Sequence, residues 1–173
     1  MLTFVTVVTP LVMLPAVDQG LWVLLAYRLP REPSAPRLAV WRKLKRLGVA
    51  QLVDGLVALP LDSRTREQLE WLADDVLEAG GESWVWFARP GTAAQERALA
   101  AGLQTAVAEQ YRAVSAEARA AAADGSPASR RTLARLRRQL ERIRRRDHFP
   151  PFEREEAQRA VEALTAALEQ RAA

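Results

Sequence analysis

Residues 49–61, VAQLVDGLVALPL, decide the fold. Two short apolar runs flank Asp54-Gly55, the dipeptide that best supplies positive φ to a two-residue hairpin turn, so the stretch predicts strands at 49–53 and 56–61. On its N-terminal side Val40, Leu44 and Leu47 recur at helical spacing. They predict a helix from about Ala35 to Leu47, with Ser34 as N-cap and Gly48 as its stop. On its C-terminal side Asp62 or Ser63 caps a second helix through Ala79, with Leu69, Leu72 and Val76 on the core face and Gly80-Gly81 at its end. One element further out in each direction lies a strand. LWVLLAYRL (Leu21–Leu29) is a near-continuous apolar run, too short for a typical helix and closed by Pro30 and Pro33, which reads as a strand buried on both faces. Ser83–Ala88, with Trp84, Val85, Trp86 and Phe87, reads as the last strand.

The order βαββαβ makes residues 21–90 an α+β domain of the split-βαβ, ferredoxin-like kind. Right-handed crossovers place the first strand beside the last in the middle of an antiparallel sheet, with both helices on one face. The apolar first strand and its tryptophan-rich partner both suit a central position. Most of the five tryptophans, Trp22, Trp41, Trp71, Trp84 and Trp86, fall on these strands and amphipathic helices, which favours core packing over base stacking.

Beyond Arg89-Pro90-Gly91 no strand-like run remains. Leu99, Leu103, Val107, Tyr111, Val114 and Ala118 predict one long amphipathic helix over 92–123. Asp124-Gly125-Ser126-Pro127 breaks it, with Ser126 as N-cap and Pro127 as first residue of a helix reaching about Asp147. After His148-Phe149-Pro150-Pro151 a further helix spans about Phe152 to Arg171, with Val161, Leu164 and Leu168 inward. Residues 91–173 therefore read as an arginine-rich helical hairpin or three-helix layer.

The 173 residues, 49% hydrophobic and 27% charged, are of ordinary globular composition, which excludes collagen-like and disordered classes. The absence of cysteine excludes disulfides, thiolate metal sites and thiol chemistry. Residues 1–20 are apolar, but no basic residue precedes Arg28, Pro10 and Pro15 interrupt the run, and Asp18, Gln19 and Gly20 close it early. They read as an N-terminal extension, and the expected setting is cytoplasmic with no membrane partner.

The formal charge of +4 hides an uneven distribution in which 23 of the 25 basic residues are arginine. Between 130 and 146 nine arginines face Glu141 alone. Leu133, Leu136, Leu140 and Ile143 form one stripe of that helix, and Arg130, Arg137 and Arg144 form a column beside it. A guanidinium fork binds tetrahedral oxyanions through paired hydrogen bonds, so this face suits phosphate or another oxyanion. It equally suits a solvated face paired with glutamates such as Glu109, Glu117, Glu153, Glu155 and Glu156. A smaller cluster surrounds the first helix. Arg31, Ser34 and Arg37 flank its N-terminus, where free N–H groups favour an anion, and Arg42, Lys43 and Arg46 project from its polar side.

Catalytic motifs are scarce. His148 is the lone histidine and reads as a loop or helix-end residue, Ser34 and Ser83 have no base nearby in sequence, and no phosphate-cradling GxxxxGK[ST] or nucleophile elbow occurs. The expectation is a protein that is not an enzyme and holds no metal or cofactor.

WVLLAYRLPREPSAPRLAVWRKLKRLG, followed by VAQLVDGLVALPLDSRTREQLEWLADDVLEAGGES, resembles the N-terminal domain of ChrB, a protein of bacterial chromate-resistance operons. The likeness rests on Leu29-Pro30 ending the first strand, the R-x-x-x-WR-x-LK-x-LG helix from Arg37 to Gly48, Asp54-Gly55, and the R-D-x-F motif Arg146-Asp147-His148-Phe149. It extends over about residues 21–170. Ferredoxin-like domains of phenylacetate-pathway repressors and CRISPR-associated nucleases are similar in the first half, but Tyr27-Arg28 replaces the nucleases' acidic residue. The resemblance implies a regulator of chromate efflux. Longer members carry a further C-terminal domain, so a stand-alone copy is expected to act as an accessory, a partner subunit or a degenerate paralogue.

Two functions are therefore expected in competition. In the first, a regulator or sensor-like protein binds chromate, another oxyanion or DNA phosphate through Arg31, Ser34, Arg37, Arg42, Arg46, Arg130, Arg137 and Arg144. In the second, the helical half is an interaction module that forms a homodimer or joins another protein.

Overall fold

A computed structural model describes residues 20–126 and 128–171. The elements run β1 (Trp22–Arg28), α1 (Ser34–Leu47), β2 (Ala50–Val53), β3 (Leu56–Pro60), α2 (Ser63–Glu78), β4 (Glu82–Ala88), α3 (Ala93–Asp124), α4 (Ala128–Arg144) and α5 (Glu153–Gln170). The protein is a mixed α+β structure with a four-stranded antiparallel sheet in the order β2-β3-β1-β4. The expected extension falls almost wholly on residues 1–19, and Pro127 as a first helical residue falls on 127; both lie outside the described residues.

Alternation along β1 sorts the sheet's faces. Val23 and Leu25 pack with Val57 and Leu59 of β3 beneath Val40 and Leu44 of α1 and Leu69, Leu72 and Val76 of α2, so both crossover helices cover one face. Trp22 and Ala58 on the other face meet Leu103 of α3, with Leu24, Ala50, Leu99 and Phe149 around them. β1 is thus apolar from Trp22 to Ala26, the stretch covered on both sides, and ends in the exposed Arg28.

The expectation for β4 is corrected. It pairs with β1 over its whole length but lies at the sheet edge, leaving Trp84 and Trp86 53% and 59% exposed. Trp41 and Trp71 are exposed as well, and Trp22 alone of the five is buried. Helical or strand-like spacing identifies a face; it does not say whether another layer covers that face.

Local chemistry explains the turns. Gly55 carries φ 75°, and a side chain there would meet the Tyr27 carbonyl oxygen at 2.5 Å. No described non-glycine residue has positive φ, so Asp54 turns without it, and the β2–β3 ladder takes up the difference as a register shift between Gln51 and Val53. Asp62 caps α2: its carboxylate accepts from the Thr65 N–H at 2.6 Å, while its own N–H donates to Thr65 Oγ1 at 2.9 Å. Ser34 differs from expectation, because Pro33 holds the cap position of α1 and no side chain caps it.

The second core is built by α3, α4 and α5. Val107, Tyr111, Val114 and Ala118 of α3 bury against Leu136 and Ile143 of α4 and Ala157, Val161 and Leu164 of α5. Each such large apolar side chain gives about 1.5–3 kcal/mol on burial. Because the first turns of α3 cover the sheet and its later turns face α4 and α5, one helix joins the two halves.

Candidate anion-binding site

The site is organised by Arg146-Asp147-His148-Phe149, where α4 ends. Arg146 donates from Nη1 to the Lys45 carbonyl oxygen at the end of α1, 3.2 Å away, and from Nη2 to Gln110 of α3. Its side chain also packs on Gly48, whose φ of 68° disfavours any other residue and where a Cβ would come within 3.1 Å of Arg146 Cδ. The Asp147 side chain is wholly buried, accepts from the Tyr111 hydroxyl at 2.9 Å and lies 3.6 Å from Arg154 Nη1. Burial first, and then this hydrogen bond to a carboxylate, push the Tyr111 hydroxyl far above its ordinary pKa, so it stays a donor. Phe149 stacks on Trp22, with centroids 6.1 Å apart and planes at 26°. Consecutive residues thereby tie the end of α4 to α1, α3 and β1.

Beside this clasp opens a cleft of about 770 Å³. Arg46 contributes from α1, Arg64 from the first turn of α2, Arg142 from α4, and Arg145, Arg146 and His148 from the segment after it. Gln68, Gln110 and Gln139 add amides, and no carboxylate is among the lining residues. Five guanidinium groups, one from α1, one from α2 and three from the end of α4 and the residues after it, thus line a space with neutral hydrogen-bonding partners between them. Burial, and secondarily Arg64, hold the His148 imidazole below its ordinary pKa, with Asp62 and Asp147 acting in the opposite direction. Burial likewise lowers Arg146, assisted by Arg142. These repulsions are what an anion in the cleft would relieve.

Of the residues expected from sequence, Arg46 lies in this cleft. Arg31, Ser34 and Arg37 line a separate depression with Arg28, Trp41 and Asp54, where Arg37 Nη1 donates to the Arg31 carbonyl oxygen at 3.5 Å. Arg42 is exposed and lines neither. The column on α4 does not converge with them: Arg137 donates to Thr165 of α5 at 3.1 Å, Arg144 to Glu141 at 3.4 Å, and Arg130 is exposed. Pairing with neighbouring glutamates occurs for Arg135, which meets Glu117. Arg64, Arg142, Arg145, Arg146 and His148 were not singled out as a site. Their signals were available: three of the arginines recur within one turn at the end of α4, and Arg64 follows the Asp62 cap.

A family model described as Protein ChrB, N-terminal, matches residues 37–124, half of the chain. This chain belongs to the ChrB N-terminal family. The matched span runs from α1 to the end of α3 and includes Arg46, Arg64, Gln68 and Gln110, while the α4 side of the cleft lies beyond it. No curated protein and no solved structure gives a match. Among the described residues no helix is long and apolar enough to cross a membrane, and no group of three or more acidic or histidine residues is placed to hold a metal.

Proposed function

We propose that this chain is a cytoplasmic, non-enzymatic regulator in chromate resistance that recognises a tetrahedral oxyanion by charge and shape in the arginine cleft. Family membership supports the pathway. The observation that carries the site is the convergence of Arg46, Arg64, Arg142, Arg145 and Arg146 with no carboxylate among them. Arg46, Arg64, Arg142 and Arg145 each offer a planar fork of donors, Arg146 adds charge while its own fork holds Lys45 and Gln110, and the glutamine amides can complete an oxyanion's hydrogen bonds. Reading residues 21–90 as a ferredoxin-like unit is supported by the β1α1β2β3α2β4 order and by both crossover helices lying on one face. An occupied cleft would draw α2 of that unit and the end of α4 together, giving a regulator two arrangements to choose between. Equilibrium dialysis with chromate and with sulfate tests the reading; saturable uptake supports it, and no uptake at low salt removes it.

One observation favours DNA phosphate as a second partner. Arg130, Arg131 and Arg138 are exposed on α4 and form no ion pair with a described residue. Such contacts would hold a duplex backbone without reading its bases, and binding would weaken steeply with salt. A retardation assay at low salt that shows no shift excludes it.

A further inference from the structure

The outer edge of β4 supports an inference independent of any anion. Edge strands of soluble proteins are usually blunted by lysine, proline, a bulge or brevity, because their unpaired peptide groups template another strand. β4, ESWVWFA, is seven residues long, has neither lysine nor proline, and pairs with β1 in unbroken register. Among the described residues nothing pairs with its other side. Apolar side chains remain exposed on both of its faces: Trp84 and Trp86 on the face away from α2, Phe87 on the face beneath it. Beside that edge α2 presents Arg66, whose guanidinium lies over Phe87 and bonds Glu70 at 2.7 Å, and, about three turns further along the same helix, the exposed Leu77.

We infer that β4 is a homodimer edge, pairing antiparallel with β4 of a second copy about a two-fold axis through Val85. A two-fold normal to the sheet keeps each face continuous, so residues of equal parity must meet. Trp84 then lies opposite Trp86 of the other copy, and the four indoles form one cluster on the open face. The charges fit the same symmetry. Glu82, whose carboxylate accepts from Arg28 of its own chain at 2.9 Å, meets the end of the other copy's strand, where Arg89 follows Ala88 and brings it a second cation, and the Arg66 and Glu70 pairs face their counterparts in opposite order. A second copy is therefore favoured over an unrelated partner, because one strand supplies both halves of the complementarity.

Sedimentation equilibrium of the full chain tests this. The expected mass is twice the 19.2 kDa of one chain, falling to one chain when Trp84→Lys and Trp86→Lys are combined, with the circular dichroism spectrum retained. Amide exchange in residues 82–88 of the unaltered protein, slowing as concentration rises, gives the same answer even if the double variant does not fold. A single-chain mass at every concentration overturns the inference. So does a dimer whose β4 amides exchange no more slowly than in dilute solution.

Discussion

Arg146 Nη1 lies 3.2 Å from the main-chain oxygen of Lys45, joining the end of α4 to the end of α1 across 101 residues of sequence. The bond places a cationic donor on carbonyls that the helix leaves unsatisfied at its C-terminus. It also fixes one wall of the cleft. Arg146→Ala is expected to cost about 1–3 kcal/mol in urea unfolding followed by tryptophan fluorescence. Arg146→Lys is expected to recover only part of that, because one ammonium cannot reach Lys45 and Gln110 with the fixed fork of a guanidinium.

Tyr111 and Asp147 make the second polar tie, inside the helical core. Tyr111→Phe removes one donor from a carboxylate that is wholly buried and whose Oδ1 already lacks a hydrogen-bond partner. The expected loss is about 1–3 kcal/mol, visible as a lower melting temperature in calorimetry, since the charge stays buried when the donor leaves.

The cap on α2 gives an acid-sensitive contribution. Burial raises the Asp62 carboxyl, but the Thr65 N–H and hydroxyl, with Arg64, outweigh it and leave the carboxyl below its ordinary value. A carboxylate lowered on folding stabilises above its unfolded pKa, and that stability is lost as pH falls through the folded value. Asp62→Ala should cost about 1 kcal/mol at neutral pH. Asp62→Asn should keep much of the cap while flattening this part of the acid dependence, as measured by urea midpoints between pH 5 and pH 3.

These features differ in how visible they were in the sequence. The Asp54-Gly55 turn, the Asp62 cap and the stripe of Val40, Leu44 and Leu47 are local, so neighbouring residues disclose them. The edge position of β4 is a property of topology, and Trp84-Val85-Trp86 looks the same in a central strand as at an edge. The cleft was hidden for a related reason. Arg46, Arg64 and Arg142 lie on three helices, and nothing in their sequence spacing says that they converge. The Arg130, Arg137 and Arg144 column was visible because it is periodic, yet Arg137 bonds Thr165, Arg144 bonds Glu141 and Arg130 is exposed.

His148 should make anion binding depend on pH. Burial and Arg64 keep its imidazole below the ordinary value, which favours the neutral ring at pH 7, and stability falls as pH drops below that ordinary value. An anion among Arg64, Arg142, Arg145 and Arg146 would favour the protonated ring against the opposing influence of those cations, while Asp62 and Asp147 already do so. Sulfate, which keeps both charges over this range, is expected to bind more tightly at pH 5.5 than at pH 7.5. His148→Gln should remove most of that difference in parallel titrations.

Calorimetric titration of sulfate and chromate into the protein at low ionic strength tests the cleft most directly. The expected result is one anion per chain, weakened about tenfold by Arg64→Gln or Arg142→Gln and left nearly unchanged by Arg159→Gln, which removes the same charge from the exposed side of α5. Equal weakening by all three substitutions, or no saturable binding at all, would contradict the account.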